Sequence, residues 1–144
     1  MKPYEAKDFH HLLGMEGFSD ALLRNHFELY QGYVKNANAL LSEFEAMGRE
    51  NRRGTPAFAE LRRRFGWEWN GMRLHELYFG NLSKSPAALP EGSRLSRLLA
   101  EQFGGVEGWT REVEAMGGVR GIGWVVTSYD AATGRLLNVW INEH

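Results

Sequence analysis

Apolar and aromatic side chains recur every three or four residues through the first third of the chain. Across residues 19–47 they form one stripe, made of Leu22, His26, Leu29, Tyr33, Ala37, Leu40 and Phe44. That spacing follows the period of about 3.6 residues of an α-helix with one face turned toward a core. Ser19 is a suitable N-cap for such a helix, and Gly48 is a suitable stop. We therefore predict one long helix whose buried face carries a His and a Tyr.

A second stretch with helical spacing begins at Thr55 and Pro56, where Thr suits the cap and Pro suits the first turn. Its later part carries a second set of residues at helical spacing, namely Gly71, Leu74, His75, Tyr78, Phe79 and Leu82. Together the two helices predict an antiparallel helical hairpin. We expect this hairpin to form an N-terminal domain over residues 1–84.

The hydrophobic pattern changes after a linker rich in Pro, Gly and Ser at residues 83–93. Two short helical patterns follow at residues 94–103 and 107–116, and strand patterns cover residues 121–129 and 135–142. A five-residue turn at 130–134 separates the strands. With the turn centred near Ala132, Trp124 is expected to face Trp140 across the hairpin, and His144 shares their strand parity.

These elements predict an α+β protein. A long antiparallel helical hairpin comes first, and a small α/β domain with antiparallel strands follows over residues 85–144. A two-stranded hairpin alone is marginal in water, so we expect this second domain to be incomplete at its C-terminus.

The composition excludes several kinds of site and partner. There is no Cys, so a metal would have to be bound by His, carboxylate or water. The formal net charge of −1 predicts no nucleic-acid partner. No apolar run reaches the roughly 20 residues of a membrane helix, so no membrane partner is expected. The first nine residues lack the apolar core of a secretory signal, which predicts a cytoplasmic protein.

Two of the five His residues, His26 and His75, lie on the apolar faces of the predicted helices. A core His bonded to backbone and a metal-binding imidazole both fit such a position, and both interpretations stay open. Tyr33 follows His26 by nearly two helical turns, so the two side chains point the same way. Gly71 precedes His75 by one turn and is expected to leave open space beside that imidazole. These spacings predict a small pocket between the helices.

Four segments, in the same order along the chain, resemble the iron/manganese superoxide dismutase family. They are residues 70–81 around His75, residues 33–38 beginning with Tyr33, the Gly-Ile-Gly-Trp sequence of residues 121–124, and residues 133–136 followed by residues 142–144. Together these segments span most of the chain. The resemblance is to the family pattern as a whole, because each motif alone is short.

The resemblance implies an enzyme that converts superoxide to oxygen and hydrogen peroxide by redox cycling of one bound iron or manganese ion. It implies that His26 and His75 bind the metal and that Tyr33, Trp124 and His144 surround it as catalytic groups. The implied substrate is the superoxide anion, and the implied assembly is a homodimer.

The chain departs from the family pattern inside its first two helices. His26 precedes Tyr33 by seven residues, whereas the family usually has eight and often a widened helical turn. Leu29 and Tyr30 stand where the family has a His pair, one of which reaches across its dimer interface. Gly71 stands where many iron-type members have a solvent-bonding Gln, which fits a compensating side chain at His144.

The largest departure concerns the remaining metal ligands. The family completes its site with an Asp-x-Trp-Glu-His segment on a later strand and helix, and no such segment occurs up to His144. We therefore expect a chain that is shortened at its C-terminus, with iron or manganese bound only if the missing ligands are supplied. The alternative hypothesis is a metal-free, non-catalytic remnant of the family that acts only through protein contacts.

Overall fold

The computed structural model describes residues 2–144, which form four α-helices and one two-stranded antiparallel sheet. The helices are α1 (Asp20–Arg49), α2 (Pro56–Asn81), α3 (Arg94–Phe103) and α4 (Val106–Gly117), and the strands are β1 (Gly123–Asp130) and β2 (Arg135–Asn142). This architecture confirms the predicted α+β fold. Within residues 2–144, no helix is both long enough and apolar enough to cross a membrane. The chain divides into an N-terminal unit, Met1–Pro86, and a C-terminal unit, Ala87–His144.

The start of each long helix is fixed by a side-chain cap that the sequence predicts. The hydroxyl of Ser19 accepts a hydrogen bond from the amide of Leu22 at 3.2 Å, and the hydroxyl of Thr55 accepts one from the amide of Phe58 at 3.2 Å. Pro56 occupies the first turn of α2, where no intrahelical donor is needed. Because both caps satisfy amides that the helix itself leaves unpaired, the two starting points are well defined.

The end of α1 lies beyond the predicted stop at Gly48, so that prediction is wrong. The helix continues to Arg49 and ends in a Schellman motif, in which the amide of Arg52 donates to the carbonyl of Met47 at 2.8 Å. The left-handed residue of this motif is Asn51, with φ of 56°. Asn tolerates that conformation, and a Gly inside a helix does not have to end it.

The two long helices pack antiparallel and so form the predicted helical hairpin. Near the start of α1, Tyr30 meets Glu76 close to the end of α2. Near the end of α1, Phe44 meets Phe58 close to the start of α2, with ring centroids 5.6 Å apart. These two contacts place the middle of α1 beside the second half of α2.

The buried stripe of α1 matches the predicted stripe at Ala37 and Phe44 and is displaced by one residue in the first half of the helix. Leu22 and Leu29 are 54% and 52% exposed, whereas Leu23 is 1% exposed. His26 and Tyr33 border the buried stripe and are half-buried. The buried positions are Leu23, Phe27, Tyr30, Val34, Ala37, Phe44 and Met47. Both sets have helical spacing. Periodicity therefore predicted the helix but could not show which of two adjacent apolar faces enters the core.

The segment before α1 closes one side of the helical hairpin. Phe9 is buried, with its ring centroid 4.8 Å from that of Phe79 and 5.6 Å from that of Tyr30. The hydroxyl of Tyr30 accepts a hydrogen bond from the amide of Lys7 at 2.9 Å and donates one to the carboxylate of Glu76 at 3.1 Å. The ammonium of Lys7 lies 3.2 Å from the same carboxylate. These contacts tie the N-terminal segment to both helices.

The C-terminal unit packs α3 and α4 against one face of the β-hairpin. Among the described residues of this unit, only Leu99 and Leu136 are buried. The side-chain amide of Gln102 accepts a hydrogen bond from the backbone amide of Leu136 at 2.9 Å. The indole of Trp109 donates to the hydroxyl of Thr127 at 2.8 Å. Polar contacts therefore make up a large part of what holds the helices to the hairpin.

The strand register differs by one residue from the predicted register. Trp124 pairs with Ile141 and Val125 pairs with Trp140, so Trp124 and Trp140 lie on opposite faces of the hairpin. The prediction that these two Trp face each other is therefore wrong. The cause is the turn: strand pairing extends to Asp130, which leaves a loop of four residues in place of the predicted five.

Candidate metal centre

The two imidazoles singled out in the sequence lie next to each other between α1 and α2. The ring centroids of His26 and His75 are 4.9 Å apart and their planes meet at 80°. The ring centroid of Tyr33 lies 5.2 Å from that of His75. Because α1 is regular through this region, the seven-residue gap keeps His26 and Tyr33 on one side of the helix. The structure thus brings together three of the five predicted site residues.

The tautomer of His75 follows from its hydrogen bond to the backbone. Its Nδ1 atom lies 2.6 Å from the carbonyl oxygen of Gly71, one turn earlier on α2. A carbonyl oxygen can only accept, so Nδ1 must carry the proton and donate it. In the neutral ring the lone pair therefore lies on Nε2. An N–H fixed on one ring nitrogen and a lone pair on the other is the arrangement of metal-binding His residues.

His26 is held in its neutral form by its surroundings. Burial lowers the pKa of His26 below its ordinary value of 6.5, because an imidazolium loses solvation there. Its ring packs against Tyr78, at 5.3 Å between centroids, and against Phe79, at 4.9 Å. A neutral imidazole keeps the lone pair that binds a metal, whereas a protonated one does not. Both His side chains are thus prepared as nitrogen donors.

The space beside His75 is not open, contrary to the prediction from Gly71. The ring of Tyr33 fills it: a Cβ atom at position 71 would lie 2.7 Å from the Cδ1 and Cε1 atoms of that ring. The reason is that α1 and α2 pack closely here, so the absence of a side chain on one helix admits an aromatic ring from the other.

The hydroxyl of Tyr33 is kept protonated by its environment. Burial raises the pKa of Tyr33, and the nearby carboxylate of Glu68 raises it further, while the guanidinium of Arg64 acts in the opposite direction. Glu68 is buried and accepts a hydrogen bond from Arg64 Nε at 2.8 Å and one from Asn36 Nδ2 at 3.2 Å. At neutral pH the phenol of Tyr33 is therefore a donor of a hydrogen bond or a proton.

Two aromatic neighbours of the imidazoles, Tyr78 and Phe79, share the predicted helical face of His75 but were not assigned to the site from the sequence. Phe79 is fully buried and contacts both His26 and His75, with centroid distances of 4.9 and 6.0 Å. Burial raises the pKa of Tyr78. The available signal was their spacing, three and four residues after His75, which places them on the same helical face. Their rings pack against the imidazoles, Phe79 against both and Tyr78 against His26.

The other two predicted site residues, Trp124 and His144, lie together in the C-terminal unit. The indole N–H of Trp124 donates a hydrogen bond to Nδ1 of His144 at 3.1 Å. Strand alternation would put His144 on the face of Trp140, away from Trp124. Glu143 changes this, because its φ of 58° breaks the alternation just after β2. An indole can only donate, so neutral His144 carries its own proton on Nε2.

The donor set for a metal is incomplete within the described residues. Residues 2–144 contain no group of three or more His, Cys, Asp or Glu side chains arranged to hold a metal ion. The His26 and His75 pair fits two positions of an iron or manganese ligand set, because neutral imidazole suits both metals. Two neutral donors leave the charge of a divalent cation uncompensated, so further ligands are needed for tight binding.

Curated relatives with matching sequences are superoxide dismutases. An iron enzyme from Cupriavidus metallidurans is 33% identical over 135 residues, which are 90% of this chain and 66% of that relative. A manganese enzyme from Haloferax volcanii is 35% identical over 120 residues, 83% of this chain and 58% of the relative. An iron enzyme from Aquifex pyrophilus is 28% identical over 145 residues, 97% of this chain and 67% of the relative.

The chain spans about two thirds or less of the length of these relatives. No family model matches it. The similarity therefore covers most of this chain but only part of each relative.

Proposed function

Because the chain belongs to the iron/manganese superoxide dismutase family, we propose that it acts in the disproportionation of superoxide to oxygen and hydrogen peroxide. In this proposal His26 and His75 are two of the ligands of one iron or manganese ion. The observation that carries it is the imidazole pair, with centroids 4.9 Å apart and with the His75 proton placed on Nδ1 by its bond to Gly71. A bound iron or manganese ion would supply the alternation between two oxidation states.

The reaction consumes two protons for each molecule of peroxide formed, and the chain offers proton donors for that purpose. Tyr33 is protonated at neutral pH because its pKa is raised, and its ring packs on His75. His144 presents a donor at Nε2 because Trp124 occupies its Nδ1. On the basis of the family resemblance, we assign Tyr33 the role of proton donor and His144 the role of a hydrogen-bond donor to solvent at the site. Trp124 would fix the His144 tautomer through its hydrogen bond.

A metal-free role is the second candidate function. It is favoured by the absence of a third metal ligand grouped with the imidazoles within residues 2–144. In that case His26 and His75 are core residues, and the protein acts through protein contacts alone. The same T-shaped packing of the two rings serves either role, because aromatic groups stabilise a core in that geometry.

The deciding experiment is reconstitution of the 144-residue chain with Mn²⁺ or Fe²⁺, followed by measurement of bound metal and of superoxide dismutation. We expect activity above that of the free ion, and a loss of more than about tenfold on His75→Ala, because removal of a ligand weakens metal binding. His10→Ala is the matched control, since His10 is exposed and bonded to Asp8. No retained metal and no activity would contradict the proposal and favour the metal-free role.

Superoxide is the proposed substrate and a homodimer the proposed assembly, both by family resemblance. The cytoplasmic location is a prediction from the N-terminal sequence alone.

A further inference from the structure

We propose that Gly71 is a positioning residue, because the absence of its side chain lets the ring of Tyr33 lie against His75. The packing part of this inference stands on geometry alone, and its catalytic consequence rests on the proposed function. Helix α2 contains three glycines, Gly66, Gly71 and Gly80. A Cβ atom added at Gly66 or Gly80 would meet nothing within 4 Å, whereas one at Gly71 would lie 2.7 Å from two ring atoms of Tyr33.

A small movement of the end of the Tyr33 side chain would not make room for such a Cβ. The atoms in contact are Cδ1, Cε1 and Cγ, which lie at 2.7, 2.7 and 3.0 Å and belong to the rigid body of the ring. The ring is also in contact with His75, at 5.2 Å between centroids and 33° between planes. A side chain at position 71 would therefore displace the whole ring and its contact with the imidazole, because packed side chains move as bodies.

Gly71 acts on His75 through a second contact. Its carbonyl oxygen accepts the Nδ1–H of His75 at 2.6 Å and so fixes the tautomer of that ring. One residue thus determines the proton position on the imidazole and the placement of the phenol beside it. The Tyr33 hydroxyl and the Nε2 lone pair of His75 are held in one arrangement by the same short piece of backbone.

The test compares three identical substitutions on one helix in the metal-free chain. Gly66→Ala and Gly80→Ala should raise the midpoint of thermal unfolding by about 2–4 °C, because Ala favours helix and has free space there. Gly71→Ala should lower it and should shift the NMR signals of the His75 ring, which feel the ring current of Tyr33. The His75 signals should be unchanged in the two control variants.

A Tyr33→Ala background then tests whether the effect of Gly71→Ala comes from the ring. With the ring removed, Gly71→Ala should raise the midpoint as the control substitutions do, because the two positions no longer interact. If Gly71→Ala alone does not fold, recovery of folding in the double variant supports the proposal, and continued unfolding contradicts it. Gly71→Ala behaving like the two controls in the presence of Tyr33 would also overturn it.

These readouts are independent of the proposed function, because they use no metal and no superoxide. If the chain neither binds metal nor dismutates superoxide, the proposed function is contradicted. The expected unfolding midpoints and NMR shifts stay the same in that case. In a chain active with bound metal, the catalytic consequence predicts that Gly71→Ala lowers kcat more than Gly66→Ala does. Equal kcat values for the two variants would contradict a catalytic role for the Tyr33 placement.

Discussion

The two units of the chain differ sharply in how much apolar surface they bury. The N-terminal unit has a cluster of nine buried hydrophobic residues that includes Phe9, Phe27 and Phe79. The C-terminal unit buries only Leu99 and Leu136 among its described residues. Since apolar burial is the main favourable term in folding, the first unit has a core that can fix side chains in place, and the second relies on caps and side-chain hydrogen bonds.

This difference extends to the candidate site residues. His75 is fully buried, bonded to the Gly71 carbonyl and surrounded by aromatic rings, so its orientation is determined by many contacts. His144 is half-buried at the end of a strand, next to Glu143 in a left-handed conformation. It accepts a hydrogen bond from the indole of Trp124. His75 is therefore pre-organised by its unit to a greater extent than His144.

The largest effect is expected from Phe79→Ala, which removes the ring that contacts both imidazoles. Loss of a fully buried Phe costs about 3–5 kcal/mol of unfolding free energy, through lost transfer energy and a remaining cavity. Urea unfolding followed by the helical circular dichroism signal measures it. Leu77→Ala is the matched control, because Leu77 is exposed on the same helix and should change stability by less than about 0.5 kcal/mol. Equal losses of unfolding free energy in the two variants would mean that packing around Phe79 does not stabilise the N-terminal unit.

Leu136→Ala in the C-terminal unit is expected to change the unfolding free energy less than Phe79→Ala does, but to disrupt the packing of its whole unit. We expect a cost of about 2–3 kcal/mol, which is large for a unit with two buried residues. The near-ultraviolet signal of the C-terminal Trp residues should be lost while the helical signal of α1 and α2 remains. Leu137→Ala, at the next and exposed position, is the control and should leave both signals intact. Loss of both signals together in Leu136→Ala would contradict the comparison between the units.

The smallest effect concerns acid sensitivity of the β-hairpin turn. A hydrogen bond from the Thr133 hydroxyl, aided by the amide of Ala132, lowers the pKa of Asp130 below its ordinary 3.8. A lowered pKa means that the unfolded chain binds the proton more readily, so the stabilisation is complete above pH 3.8 and is lost as the pH falls through the folded pKa. Unfolding of the hairpin, followed between about pH 5 and pH 2, should show this loss.

Asp130→Asn should remove that acid-dependent component, and Asp8→Asn, in the other unit, should leave it in place. An unchanged pH profile in Asp130→Asn would show that the turn does not contribute to hairpin stability.

The sequence predicted the helices and strands better than it predicted which helix face is buried or how the strands pair. The caps at Ser19 and Thr55 and the bounds of α3 and β2 were correct, because local hydrogen bonds and periodicity fix them. The first half of the buried stripe of α1 and the pairing of Trp124 were each wrong by one residue, whereas Ala37 and Phe44 were correctly predicted to be buried. The face of α1 is selected by contacts with α2, which is a distant segment of the chain. The strand register is set by the length of the turn, which the sequence pattern did not fix to one residue.

The same limit applies to the candidate site. Helical spacing was enough to place His26, His75 and Tyr33 together, because all three lie on two long regular helices. Spacing could not show that Tyr33 fills the gap at Gly71, since that depends on the distance between the helices. It could not show the turn at Glu143 either, because a left-handed conformation at a non-glycine residue has only a weak sequence signal.

The most direct test of the central claim is a titration of the metal-free chain with Mn²⁺, read from the NMR signals of its five imidazoles. A paramagnetic ion broadens the signals of the nuclei closest to it, so the binding residues are identified without an activity assay. The account predicts that the signals of His26 and His75 broaden first and together, and that His75→Ala abolishes the effect on His26. Broadening of the exposed His10 and His11 signals first, with His26 and His75 unaffected, would contradict a metal-binding role for the pair.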